Sequence, residues 1–288
     1  MIRHLVIPDI HNKWEKVERL LQMLAGRYDC AILLGDSFDS KNDGPGEAEA
    51  TARWLSMSVQ QPNRIHLLGN HCLPYIFPNQ ANRDHYCPGW TQEKHDRVRP
   101  LFDHLPCERL FKLAYGSGNW LFSHAGISYD KRAFPAELQY GALDAVTIAK
   151  ALNRYMPALA RGAAPEWITR PGERMLHGQG PGGLLWADWA DLVPIPGVNQ
   201  CVGHTGRMSA RFKQAGDSLA VCLDVRPRQI MVLKTEDDPA RSEFALFPID
   251  ALLEDPEYAV EQIEEVFFRP EPKELKLASF NASLLREI

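Results

Sequence analysis

No stretch of this sequence approaches the roughly 18 consecutive apolar residues that a bilayer-spanning helix needs, so a helical membrane protein is not expected. The amino terminus runs Met1-Ile2-Arg3-His4-Leu5-Val6-Ile7-Pro8 straight into a polar loop, without the charged leader and apolar core of a signal peptide. None of the six cysteines (Cys30, Cys72, Cys87, Cys107, Cys201, Cys222) belongs to a CxxC pair, which removes the signature of a zinc ribbon or a dithiol redox site. Several sit in apolar runs, where a free thiol packs as a small hydrophobe. These absences make the cytoplasm the expected location. A long Lys/Arg run and a large excess of one charge are also missing: 32 basic residues stand against 37 acidic ones, for a net charge of -5. Wrapping a nucleic-acid backbone is therefore not the expected work of this chain. Internal repeats and low-complexity tracts are absent as well.

What remains is an ordinary globular composition. At 288 residues, 45% hydrophobic and 24% charged, the chain can bury a full core and is too apolar and too balanced in charge to be disordered. The first third repeats one grammar three times: a short apolar run, a polar Gly/Asp/Asn-rich loop, then an amphipathic stretch. Val6 and its neighbours lead into Pro8-Asp9-Ile10-His11. Trp14, Val17, Leu20, Leu21 and Leu24 then recur at helical spacing over residues 13–25. A second strand, Ala31-Ile32-Leu33-Leu34, ends in Gly35-Asp36; a second helix is predicted over 47–59; a third strand, Ile65-His66-Leu67-Leu68, ends in Gly69-Asn70-His71. This is the pattern of βαβ units in an α/β fold. In such sheets ligands bind at the carboxyl ends of the parallel strands, where all three polar loops fall.

Further along, the runs 110–115 and 119–122 flank Gly116-Ser117-Gly118, a hairpin signal, and the second run ends in Ser123-His124-Ala125-Gly126. Helix is predicted within 135–160, followed by a Gly/Pro-rich stretch over 170–183 and short strands over 200–202, 219–224 and 230–233. A C-terminal tail, 250–288, follows a main domain over 1–249. Asp255-Pro256 starts a predicted helix to about residue 267, which Pro270-Glu271-Pro272 ends. Its Tyr258, Val260, Ile263, Val266 and Phe267 offer an apolar face to the chain's own domain or to a second copy.

The side chains at the strand ends are Asp9 and His11, Asp36 and Asp39, Asn70 and His71, His124, and His204 in Cys201-Val202-Gly203-His204-Thr205. Carboxylate, imidazole and amide oxygen suit divalent Mn, Fe or Zn, and the absence of thiolates argues against a structural zinc finger. Using them all takes two ions, and a carboxylate such as Asp36 on the middle strand can bridge both. His66, by contrast, lies within a strand outside any motif and reads as structural. The spacing of His85, Cys87, His95, His104 and Cys107 matches no familiar zinc pattern. Trp186 and Trp189 read as core and pocket wall rather than as a base-stacking platform. Residues 177–183 lack the Gly-Lys-Ser/Thr ending of a phosphate-binding loop and read as a loop near the site.

Through Asp9-Ile10-His11, Gly35-Asp36-Ser37-Phe38-Asp39, Gly69-Asn70-His71, His124 and Gly203-His204-Thr205, in that order, the sequence resembles the calcineurin-like metallophosphoesterases. Ser123-His124-Ala125-Gly126-Ile127 and Leu184-Leu185-Trp186-Ala187-Asp188 resemble later signatures of the branch that holds phosphoprotein phosphatases and bacterial dinucleoside tetraphosphatases. The resemblance spans roughly residues 1–235 and implies a four-layer α/β/β/α sandwich with mixed sheets. It also implies two divalent ions, with manganese expected and iron or zinc as alternatives. Asp9, His11 and Asp36 would hold the first ion, and Asp36, Asn70, His124 and His204 the second. Gly206 stands where many relatives place a further histidine on the first ion. His71, oriented by Asp39, would donate a proton to the departing oxygen while a metal-bridging hydroxide attacks, with no covalent phosphoenzyme. The implied function is phosphomonoester hydrolysis on a phosphoprotein or small molecule. A dinucleoside polyphosphate or nucleotide hydrolase is the enzymatic alternative, and a degenerate, binding-only phosphoesterase the non-enzymatic one.

Two departures from the branch stand out. Where its phosphate-gripping arginine follows the second Asp of the Gly-Asp motif, this chain has Ser40, and from Trp186 to His204 it has neither Arg nor Lys. Lys41 and Arg207 are the nearest substrate-binding replacements in sequence. In addition, Cys72 takes the place of the usual acidic residue after Asn-His, which puts a thiol beside the site.

Overall fold

A computed structural model of the chain describes residues 1–40, 42–79, 87–130, 138, 144–173, 182–225, 227–236 and 242–268. The first third folds as its periodicity dictates: β1 (Ile2–Ile7), α1 (Trp14–Met23), β2 (Cys30–Leu33), α2 (Pro45–Ser58) and β3 (Arg64–Leu67). The three strands are parallel, with Leu5 opposite Ala31 and Ile32 opposite Ile65. Burying Leu20, Leu21 and Leu24 of the α1 segment, all essentially inaccessible, stabilises the packing by about 1.5–3 kcal/mol each. Helix α2 begins two residues earlier than its predicted start, with Pro45 in its first turn and the Glu47 carboxylate accepting the Gly44 N–H at 2.9 Å.

Among the described residues, three short helices follow, α3 (Leu73–Ile76), α4 (Gln92–Val98) and α5 (Cys107–Leu110). The run 110–115, predicted as one hairpin arm, is divided instead. Leu110 closes α5; β4 (Phe111–Lys112) joins the first sheet beside β3; and β5 (Ala114–Ser117) crosses to a second sheet, where it pairs antiparallel with β6 (Trp120–Ser123). Asn153 makes the crossing affordable. Its Oδ1 accepts the N–H groups of Leu113 and Ala114 at 2.8 and 3.3 Å, and its Nδ2 donates to the Ala114 carbonyl at 2.7 Å, so the backbone leaving one sheet keeps its partners.

Within the predicted helical stretch lie α6 (Ala145–Asn153) and α7 (Met156–Ala160), then α8 (Glu166–Thr169). The chain continues through β7 (Asn199–Val202), β8 (Arg211–Ala215), β9 (Ser218–Cys222), β10 (Gln229–Thr235), β11 (Glu243–Pro248), α9 (Ile249–Glu254) and α10 (Pro256–Phe268). Neither β8 nor β11 is evident from the sequence. Both are outermost strands with few buried positions, so neither carries the apolar run or clean alternation that marks an interior strand.

The first sheet has the order β11-β10-β1-β2-β3-β4 and the second β5-β6-β7-β9-β8; each mixes parallel and antiparallel pairs. Alternation along the strands assigns the layers. Val6, Ile32 and Leu34 meet Trp120, Phe122, Cys201 and Val221 between the sheets. Leu5, Ile7, Ala31 and Leu33 face away from that layer into the core formed with α1 and α2. Helix α6 packs on β5 and β6, which gives the α/β/β/α layering. The apolar face of α10 turns onto its own chain: Ala259, Ile263, Val266 and Phe267 are buried in the cluster that holds Leu20 and Leu24, while Tyr258 is exposed. Residues 270–272 lie outside the described residues. No helix among the described residues is long and apolar enough to cross a membrane.

Candidate metal centre

Each candidate ligand leaves the end of a strand, and the loops that carry them are tied together. The N–H groups of Ile10 and His11 both donate to the Asp36 carbonyl, at 3.0 and 2.9 Å, and the Gly203 N–H donates to the His124 carbonyl at 2.7 Å. His11, Asp36, Asp39 and His204 all have positive φ, between 42° and 67°. Such left-handed backbone costs a non-glycine residue on the order of 1 kcal/mol and persists only where its surroundings impose it.

Two groups of side chains result. Asp9, His11 and Asp36 form one and Asp36, His124 and His204 the other; in each, one ligand atom per residue lies within 4.8 Å of the others, and Asp36 belongs to both. Asn70 completes the second group, with Oδ1 at 2.7 Å from His124 Nε2 and 2.9 Å from His204 Nδ1. All six residues predicted as ligands are thus brought together. His71 and Asp39 stand beside them: the His71 N–H donates to Asp36 Oδ1 at 2.8 Å, and its Nδ1 lies 3.1 Å from Asp39 Oδ2.

The donor set fits divalent cations. The Nδ1 atoms of His11 and His124 lie 2.9 Å from the carbonyls of Phe38 and Leu34. A carbonyl only accepts, so both rings carry their proton on Nδ1, which leaves Nε2 as a lone-pair donor in the neutral ring. His124 Nε2 then faces Asn70 Oδ1 as one acceptor against another, at a distance that calls for a cation between them. Asp9 Oδ1 is buried without a hydrogen-bond partner, while its Oδ2 accepts the His204 N–H at 3.0 Å.

The electrostatics agree. Burial, then the charges of Asp224 and Asp36, push the Asp9 carboxyl well above its ordinary range, as expected where carboxylates crowd without a counter-ion. Burial also opposes ionisation of Asp36, but the neighbouring imidazoles, His124 first, override it and hold that carboxylate well below its ordinary range. Burial, reinforced by His124, lowers His204 to about 3, which keeps its ring neutral and able to bind metal. For His71 burial acts downward, but Asp36 and then Asp39 outweigh it and the imidazole is raised.

A cavity of about 790 Å³ opens beside the first group, lined by His11, Asp39, Ser40, Asp43, His71 and Lys94 among others. Of the replacements suggested for the missing arginine, Lys41 lies outside the described residues, and Arg207 is exposed and absent from the cavity wall. Lys94, which sequence reasoning missed, is there. It sits in a run of charged residues, Glu93-Lys94-His95-Asp96-Arg97, where nothing distinguishes a buried lysine from a solvated one.

Cys87 was also missed; its Sγ accepts from Asn70 Nδ2 at 3.1 Å and so fixes which face of the amide presents its oxygen. Cys72 is buried, accepts the Ser37 N–H at 3.2 Å and is pushed up to about 12 by burial and by Asp36, so it is a protonated packing thiol. Beside Gly206, Asp224 takes up the space; a Cβ there would lie 3.0 Å from its Oδ2. Trp186 is buried with its ring edge-on to His204, centroids 5.7 Å apart, as a wall of the site. His66 is buried in the strand and bonded to Ser58, away from both groups. The loop 177–181 lies outside the described residues.

Residues 2–207 match the family described as calcineurin-like phosphoesterase. Among solved structures, a candidate diadenosine tetraphosphatase is 17% identical, with 86% of this chain and 93% of that chain covered and a TM-score of 0.41. A protein serine/threonine phosphatase from Saccharomyces cerevisiae is 16% identical, with 86% and 80% covered and a TM-score of 0.42. No curated protein sequence gives a match. The family match runs over more than two thirds of the chain and through every strand end that bears a ligand, and the protein accordingly belongs to the calcineurin-like phosphoesterases, as a metal-dependent hydrolase.

Proposed function

We propose that this protein is a two-metal phosphomonoesterase in which His71 is the general acid. The observation that carries the reading is the sharing of Asp36 between two groups of ligands, with the backbone N–H of His71 donating to that same carboxylate. Asp9 and His11 complete the first group; Asn70, His124 and His204 complete the second. When bound, a pair of divalent ions, manganese by preference, supplies Lewis-acid polarisation of the phosphoryl group and lowers the pKa of a water molecule.

The chain's own residues do the rest. Asp39 holds the His71 ring through Nδ1, which leaves Nε2 to carry the proton on a residue that lines the cavity. Against the effect of burial, Asp36 and then Asp39 raise the affinity of that imidazole for its proton, the direction that suits a general acid. A water oxygen bonds to phosphorus as the ester P–O bond breaks, the proton passes from Nε2 to the departing oxygen, and no side chain is needed as a covalent nucleophile.

A substrate panel tests the reading: p-nitrophenyl phosphate, its bis ester, a phosphopeptide and diadenosine tetraphosphate, each with manganese supplied. Turnover of the monoesters ahead of the other two is the expected result. Preference for the tetraphosphate would move the assignment to nucleotide hydrolysis, and inertness towards all four would leave a binding protein.

A further inference from the structure

We infer that Lys94 is a positioning residue for this reaction: its ammonium group locks the Asp39 carboxylate that orients His71. The inference rests on the reading of the site as a phosphomonoesterase. Lys94 comes from α4, 55 residues beyond Asp39, and its side chain is only 3% exposed. The first turn of α4 is fixed by Thr91, whose Oγ1 accepts the Lys94 N–H at 3.2 Å.

From there Nζ donates to Asp39 Oδ1 at 3.3 Å, to Asp43 Oδ1 at 2.7 Å and to the Gly89 carbonyl at 2.7 Å. An ammonium group has three protons. All three are used, so none is left to grip a phosphate, and Lys94 is no stand-in for the arginine missing at position 40. Its reach is towards the acid–base pair instead.

Asp39 is held on every side. Oδ2 faces His71 Nδ1, and Oδ1 accepts from both the Tyr75 hydroxyl at 2.8 Å and Lys94. Asp39 and Asp43 are two buried carboxylates beside one cavity, and Lys94 is the counter-charge bonded to both. Without it, a buried carboxylate lacks compensation and turns towards water. For Asp39 that motion releases the His71 ring. Gly89 makes the approach feasible: its φ is +99°, and a Cβ there would lie 3.0 Å from Asp39 Cβ.

The test compares leaving groups in the manganese-loaded protein. Glycerol 2-phosphate has an alkoxide leaving group that needs the His71 proton; 2,4-dinitrophenyl phosphate has one that departs without it. Lys94→Met is expected to lower kcat on the alkyl ester by about 30-fold, and on the activated ester by less than about 3-fold. KM should stay within about twofold and metal content unchanged. Combined with His71→Ala, it should add no further loss on the alkyl ester, because both changes remove one function. The crystal structure of the variant should show Asp39 turned away from His71. Equal losses on the two esters, full additivity with His71→Ala, or an undisturbed Asp39–His71 contact would each overturn the proposal. Should Lys94→Met fail to fold, Lys94→Gln, which also removes the ammonium charge facing Asp39, carries the same comparison, with the same ordering of the two esters. A wild type inert towards both esters overturns the reading of the site itself, and this proposal with it.

Discussion

His66 and His124 are both buried, the first within an apolar run and the second at the end of one, and their surroundings give them different work. His66 Nε2 meets the Ser58 hydroxyl at 3.0 Å among Trp54 and Phe111; His124 faces an amide oxygen, a carboxylate and a second imidazole. Burial, with Arg64 adding to it, lowers His66 to about 3, and burial lowers His4 to about 4. In the unfolded chain both titrate near 6.5. Between those values the unfolded state binds more protons, so stability is lost as pH falls below about 6.5. The denaturant midpoint should drop between pH 7 and pH 5, and His66→Gln should flatten that slope. At the site, His71→Ala should lower kcat by ~100-fold or more while leaving metal content unchanged, and Asn70→Ala should lower metal content. Elemental analysis beside steady-state kinetics separates the two effects.

Among the elements, the turn from β3 into α3 sets the tightest constraint. Gly69 lies so close to Asp36 that any Cβ would run into its Oδ1 and backbone nitrogen. The Gly69 carbonyl also receives the N–H groups of Cys72 and Leu73, at 3.1 Å each, so the turn cannot swing away. Gly69→Ala should therefore displace the shared carboxylate. The expected result is a stability loss on the order of 2–3 kcal/mol together with a loss of bound metal, measured by denaturation and by elemental analysis. A stability loss with metal retained would mean that the turn yields on the side away from Asp36.

Over the whole molecule, the site exists because two sheets end at one rim. Asp9, Asp36 and Asn70 follow strands of the first sheet; His124 and His204 follow strands of the second. Helix α10 braces the other end of β1: Arg3 lies over the rings of Phe267 and Phe268 at 6.0 and 5.7 Å, and Arg27 pairs with Glu264. Phe267 is 1% exposed, so Phe267→Ala should cost about 3–5 kcal/mol in chemical denaturation. Activity per folded molecule should be preserved, since the helix contributes no residue to the cavity.

The sequence by itself determined the βαβ opening, the ligand types and their order, because these rest on local rules: helical periodicity in α1, buried strand runs, and Gly-Asp and Gly-Asn-His turns at strand ends. Even the structural role of His66 was legible from its place inside a strand. Tertiary structure alone decided the division of the run 110–115 between two sheets, the edge strands β8 and β11, and the neighbours of the acid–base pair. Lys94, Tyr75 and Cys87 carry no local mark. A charged or polar side chain looks the same in sequence whether water or a buried carboxylate surrounds it, and only the packing of α4 and its preceding loop against Asp39 and Asn70 settles which.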